Sequence, residues 1–194
     1  MKSSQPIPML SEQDKVYLLA LARSSIDQAV NRHPLTEIDL HGLSDILRTD
    51  GAAFVTLTKD KLLRGCIGAL EAYQPLVMDV REHAVAAAMN DYRFTPVSTE
   101  ELPYLSIEIS RLTQPKDLEY HDAEDLIDLL RPGIDGVILA EGYRRATFLP
   151  QVWEQLPNPE DFLSHLCHKM GASPDAWCKK HLTVSIYQVE EFHE

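Results

Sequence analysis

Ala52-Ala53-Phe54-Val55-Thr56-Leu57-Thr58-Lys59-Asp60-Lys61-Leu62-Leu63-Arg64-Gly65-Cys66-Ile67-Gly68 is the stretch that decides the fold of this chain. Ala53, Val55 and Leu57 alternate with Phe54, Thr56 and Thr58, the period-two pattern of a strand. Lys59-Asp60-Lys61 reads as a turn, and residues 62–67 return as the antiparallel partner, closed by Gly68. On the returning strand, Leu63, Gly65 and Ile67 are expected on one face and Arg64 and Cys66 on the other. Two aliphatic side chains around a glycine suit a packed face. A guanidinium beside a thiol suits the wall of a cleft.

Working outward, residues 10–31 read as an amphipathic helix. Ser11 caps it, with Asp14 as the short-acid version of a capping box, and Leu18, Ala22, Ile26, Ala29 and Val30 form its apolar stripe. Beyond the hairpin, Pro75 opens a helix to about residue 90, with Leu76, Val80, Ala84, Ala87 and Ala88 on one side. A polar loop follows over 90–103, then a strand with Leu105, Ile107 and Ile109 inward. The second half repeats this order: a helix over 123–130, strands over 136–140 and 144–149, a helical turn from Pro150, a helix over 159–170 stopped by Gly171, and a final strand over 182–189. The expected fold is therefore α+β, with antiparallel sheets flanked by helices. It is read as an αββαβ duplication with halves of about 10–115 and 116–194 and a cleft where the two lobes meet. Overlaying the two turns sets residues 144–148 on residues 62–66. Residues 1–9 are polar, contain Pro6 and Pro8, and read as a disordered lead-in with no secretory apolar stretch.

A chain of 194 residues with 44% hydrophobic content can build a substantial core. No run approaches the roughly 20 apolar residues of a membrane helix. The 18 basic residues are outnumbered by 30 acidic ones, for a net charge of −12, which opposes non-specific binding to nucleic acid. Three cysteines do not make a disulfide framework, so each reads as a free thiol in a reducing cytoplasm.

Cys66 is the leading chemical candidate. A thiol is nucleophilic as the thiolate, and Arg64, two residues away on the same face, would favour that form; the alternative is a small buried cysteine in a packed strand. His83, on the following helix, is the nearest potential base in the chain. Asp91-Tyr92-Arg93-Phe94 either orients a charged substrate, with Arg93 forking onto an anion, or pins its own loop while Phe94 anchors in the core. Thr147 and Gln151 lie where a strand ends and a helical turn begins, a place suited to an anion or carbonyl and equally to a packed joint. Glu108, between Ser106 and Ser110, becomes a candidate acid or base if that sheet face lines the cleft; a solvated face is the ordinary outcome. His165, Cys167, His168, Cys178 and His181 suggest zinc but lack a Cys-x-x-Cys pair, and no metal or cofactor is expected.

Several segments together resemble the AMMECR family, known in prokaryotes as AmmeMemoRadiSam system protein A. They are Leu63-Arg64-Gly65-Cys66-Ile67-Gly68, Asn90-Asp91-Tyr92-Arg93-Phe94, Arg131-Pro132-Gly133-Ile134-Asp135-Gly136-Val137, residues 147–153 and residues 162–167. The resemblance implies two interleaved lobes with the hexapeptide facing an interlobe cleft. It also implies association with a Memo-like protein and a radical S-adenosylmethionine protein, but it supplies no established reaction. Lys61 stands where the family often has glycine, and Tyr92 where proline is common. The resulting expectation is a cytoplasmic protein that binds a small or anionic ligand with Cys66 as a reactive thiol and Arg64 beside it, helped by Asp91, Arg93, Thr147 and Gln151. The alternative is a non-catalytic adaptor for the two partner proteins.

Overall fold

The computed structural model describes residues 9–194, so the expected lead-in lies, Met9 apart, outside the described residues. The described chain divides into two compact units. The first runs to Thr113 and takes in Glu190–Glu194; the second is Gln114–Val189. The chain thus leaves the first unit and returns to it.

In the first unit, helix α1 (Glu12–Val30) starts at Ser11. The Ser11 hydroxyl accepts from the Asp14 N–H, and the Asp14 carboxylate accepts from the Ser11 N–H. A short helix α2 (Asp45–Arg48) leads into β1 (Asp50–Lys59), which pairs antiparallel with β2 (Leu62–Gly68). A two-residue strand β3 (Gln74–Pro75) touches the start of β1 and opens α3 (Leu76–Met89). Strand β4 (Leu105–Leu112) then pairs antiparallel with β1. Leu18, Ala22 and Ile26 of α1, Val77, Val80, Ala84 and Ala87 of α3, and Ala53, Val55, Leu57, Ile107 and Ile109 of the sheet form one core, almost wholly shut from solvent. Each buried aliphatic of the larger kind stabilises by about 1.5–3 kcal/mol.

Three local expectations are revised. The loop expected over 90–103 contains a 3-10 helix, Thr99–Tyr104, started by a Ser98–Glu101 capping box. The single final strand is two, broken at Gln188: β8 (Thr183–Tyr187) stays in the second unit, and β9 (Val189–His193) joins β4. Phe192 enters the first core. Buried Glu190 accepts from the Leu10 N–H and pairs with Arg111 at 3.3 Å and Lys15 at 3.5 Å. Finally, Leu63 is not on the packed face. Leu57 pairs with Gly65 and Thr58 with Leu63, so Arg64 is the extra residue of a β-bulge. The bulge turns Leu63 to the side of Thr58, where it is exposed.

The second unit carries β5 (Lys116–Asp117), α4 (Ala123–Leu129), β6 (Gly136–Glu141), β7 (Arg144–Phe148), α5 (Pro159–Lys169), α6 (Ala176–Lys179) and β8. Its core centres on Phe162, stacked on Trp153 at 3.7 Å and edge-on to Phe148 at 5.3 Å. The first sheet contains the order β2-β1-β4, and the second contains β7-β6-β8. In each, a hairpin is followed by a helix and a strand antiparallel to the hairpin's first strand. The β6–β7 hairpin has no bulge: Leu139 pairs with Ala146 and Ile138 with Thr147. Matched by pairing, Cys66 therefore corresponds to Thr147 and not, as the turn overlay alone gives, to Phe148. Among the described residues no helix is long and apolar enough to cross a membrane.

Candidate functional site

Strand β2 lies at the edge of its sheet, so Cys66 offers backbone groups that no neighbouring strand takes. Asp91 and Arg93, just past the end of α3, take them. Asp91 Oδ2 accepts from the Cys66 N–H at 2.9 Å, and an Arg93 Nη2–H donates to the Cys66 carbonyl at 3.1 Å. The same two side chains hold each other: Arg93 Nε and Nη2 donate to the Asp91 carboxylate at 2.9 and 2.6 Å. The Arg93 N–H adds a further bond at 3.1 Å. Asp91 is buried. Hydrogen bonds from the Arg93 side chain, aided by the Cys66 N–H, hold its carboxyl well below the usual carboxylate range.

Gly65 explains how α3 brings Asp91 so near. A Cβ at Gly65 would stand 2.1 Å from the Ala87 carbonyl oxygen, so helix and strand approach this closely only over a glycine. The Cys66 side chain points to the other face. Its Sγ lies 3.3 Å from the Thr56 hydroxyl, and the thiol is half-buried.

The bulged Arg64 is committed elsewhere. Its Nε and Nη2 donate to Glu101 at 2.9 and 3.0 Å, and Nη2 also donates to the Thr95 carbonyl. Lys59 joins the same carboxylate at 3.2 Å. The Arg64 side chain, with the Ser98 N–H assisting, pulls the Glu101 carboxyl down to about 2. Phe94 is half-buried between two cations, 5.9 Å from the Arg64 guanidinium and 5.6 Å from that of Arg93. It is not the core anchor expected for it.

Four of the six residues singled out from sequence, Arg64, Cys66, Asp91 and Arg93, thus come together in the first unit. Thr147 and Gln151 belong to the second. The Thr147 hydroxyl lies 3.0 Å from that of Tyr187, and its carbonyl accepts from Lys169 at 2.9 Å. Gln151 is exposed on the 3-10 turn Pro150–Glu154. His83 is buried against Asp79, which also accepts from the Ala53 N–H; it lies on the α3 side of the sheet, across from the Cys66 side chain. Glu101 and Thr56 were not singled out. The pattern Ser98-x-x-Glu101 was the available signal for the first, and the pairing partner of Cys66 for the second. Among the described residues no group of three histidines, cysteines or acids is placed to hold a metal. Cys167 is buried, and His181 stacks on Tyr120.

A fold of this connectivity, with the hexapeptide pinned at a sheet edge by an Asp–Arg pair, defines a class. The AMMECR1 family model matches residues 19–192. A protein of Methanothermobacter thermautotrophicus is 37% identical over 186 residues, covering 95% of this chain and 96% of the relative. Protein MJ0810 of Methanocaldococcus jannaschii is 31% identical over 193 residues, covering 96% and 92%. The crystal structure of an uncharacterized protein, PH0010, from Pyrococcus horikoshii superposes with a TM-score of 0.75 at 31% identity, covering 95% and 93%. The chain belongs to the AMMECR1 family.

Proposed function

We propose that the protein holds a small ligand beside Cys66 and that this thiol is the group that reacts with it or grips it. The observation that carries the reading is the fixing of a half-buried thiol by the Asp91–Arg93 pair, which engages both backbone groups of the same residue. Such investment in one strand position fits a side chain that must be presented accurately. In this reading Cys66 Sγ gives up its proton to solvent and adds to an unsaturated electrophilic carbon of the ligand; the π bond breaks, and its electron pair moves onto the ligand and takes a proton back from solvent. Arg93 and Arg64 set the geometry around it. Thr147, in the place of Cys66 in the second hairpin, and Gln151 are proposed as ligand-binding residues within the second unit by itself. A free thiol of this kind suits a reducing compartment, and we place the protein in the cytoplasm.

The test is site-resolved alkylation of Cys66, Cys167 and Cys178 across pH. The reading expects Cys66 to be alkylated in the folded protein ahead of buried Cys167 and faster than exposed Cys178. A Cys66 that reacts only after unfolding overturns it.

One observation favours a second reading, an adaptor for the Memo-like and radical S-adenosylmethionine proteins that the family resemblance implies. Leu62 and Leu63 at the start of β2 and Tyr92 beside the Cys66 clamp stand exposed, Tyr92 at 93%, and apolar side chains left in water along a sheet edge suit a partner's surface. If Cys66→Ser leaves in-cell function intact while Arg64→Glu abolishes it, the adaptor reading is the right one.

A further inference from the structure

We infer that the ligand taken beside Cys66 carries a positive charge and that Glu108 receives it; this rests on the reading of Cys66 as a ligand-site thiol. The pairing register sets Cys66 opposite Thr56, and Thr56 opposite Glu108. Directly paired residues point to the same face, so the three side chains form a row across β2, β1 and β4, on the face away from α3. Strands are spaced by about 4.8 Å, which sets the Glu108 carboxylate roughly 9 Å from the thiol.

The cations beside the thiol are already matched. Arg64 and Lys59 share Glu101, and Arg93 is forked onto Asp91. Glu108 is half-buried, and among the described residues its carboxylate has no ion pair or hydrogen bond. On β1, β2 and β4 its neighbours across this face are neutral: Thr58, Ser106 and Leu63 on one side, Phe54 and Ser110 on the other; on β9, whose Glu190 and Phe192 turn to the core, Glu191 and His193 share the face. An unmatched carboxylate beside neutral hydroxyls makes the face electronegative. The two arginines, which in isolation suggest an anion site, are neutralised by their own partners. The ligand class is a small molecule bearing an ammonium group. Seated between Glu108 and Cys66, that cation would itself favour the thiolate, so the right ligand would raise the reactivity of the thiol it meets.

Charged methanethiosulfonates test this on the full chain carrying Cys178→Ser. The thiolate attacks the reagent sulfur, forms a mixed disulfide and expels methanesulfinate, so the rate reports the local potential. Rates with the trimethylammonium-ethyl and sulfonatoethyl reagents are each normalised to 2-mercaptoethanol, and Cys66 modification is followed by mass spectrometry at low salt. The cation should be favoured about fivefold, as expected for one unit charge some 9 Å away in a water-like medium. Glu108→Gln should bring the ratio to about one, Glu108→Lys should invert it, and 1 M salt should erase it. If Cys66 reacts with the neutral methyl reagent but shows no preference, or prefers the anion, the inference fails and the thiol reading stands. If Cys66 is inert to the neutral reagent in the folded protein, both fail.

Discussion

The two hairpins of this protein share one connectivity and differ in what they do with it. In the second, β6 and β7 pair without interruption, Ala146 sits over the core, and a lysine reaches the carbonyl of Thr147. In the first, a bulge at Arg64 shifts the register, glycine replaces alanine so that α3 can press onto the strand, and buried Asp91 with its partner Arg93 clamps Cys66. The edge carbonyl of the matched residue accepts from a cation in both. Only the first adds a carboxylate for the N–H and a thiol at the tip of the side chain. A common connectivity thus packs a plain strand in one hairpin and holds a cysteine by both backbone groups in the other.

The comparison breaks most sharply at Gly65. Gly65→Ala forces a methyl group against the Ala87 carbonyl and should cost about 3 kcal/mol, the upper end for overpacking. Ala146→Gly at the matched position should cost only about 1 kcal/mol; urea unfolding of both variants measures the difference. Asp91→Ala comes next, at about 2–3 kcal/mol, because it strands a backbone N–H and a guanidinium together. The Cys66 amide should then lose its protection from hydrogen exchange, while amides in β7 keep theirs.

A third effect depends on pH. The folded-state values of Asp91 and Glu101 lie below the ordinary ones. The stability they add is therefore full above about pH 4.5 and is lost as pH falls through the acid range towards their folded values, Glu101 at about 2. Exchange at Cys66 should accelerate in that window before exchange at Thr147, whose carbonyl partner is a lysine. Equal acceleration in both hairpins would refute the difference drawn between them. The smallest effect is at the turns. Asp60 and Lys61 both have positive φ, 54° and 64°, whereas Gly142 takes the strained place in the second turn at 61°. Lys61→Gly should therefore stabilise by up to about 1 kcal/mol in thermal unfolding, and Gly142→Ala should destabilise by a similar amount.

Much of this contrast was legible in the sequence. Period-two alternation located β1 and β4, Ser11 and Asp14 located the start of α1, and the repeated order of hairpin, helix and strand located the hairpin of each sheet. The bulge was not legible: nothing in Leu63-Arg64-Gly65 announces an extra residue until the strand is paired, and one slipped residue moves Leu63 to the opposite face. The clamp was half legible. Asp91 and Arg93 stand out as residue types, but their grip on Cys66 depends on how closely α3 approaches β2, a long-range distance set by Gly65. Glu101 was hidden because its partner Arg64 lies 37 positions away. The break at Gln188 was hidden because two short strands in different sheets read as one continuous apolar alternation.

That break has a consequence for how the protein is made. Residues 190–193 complete the first sheet, and Glu190 ties together Leu10, Lys15 and Arg111, yet they are synthesised after the whole of the second unit. On the ribosome the first unit must wait, its β4 edge uncovered, while some 75 residues of the second unit pass and are free to fold ahead of it. The usual rule that the earlier-made unit finishes first is reversed here, and the nascent chain's exposure to chaperones or to misassembly is concentrated at the edge that β9 finally closes.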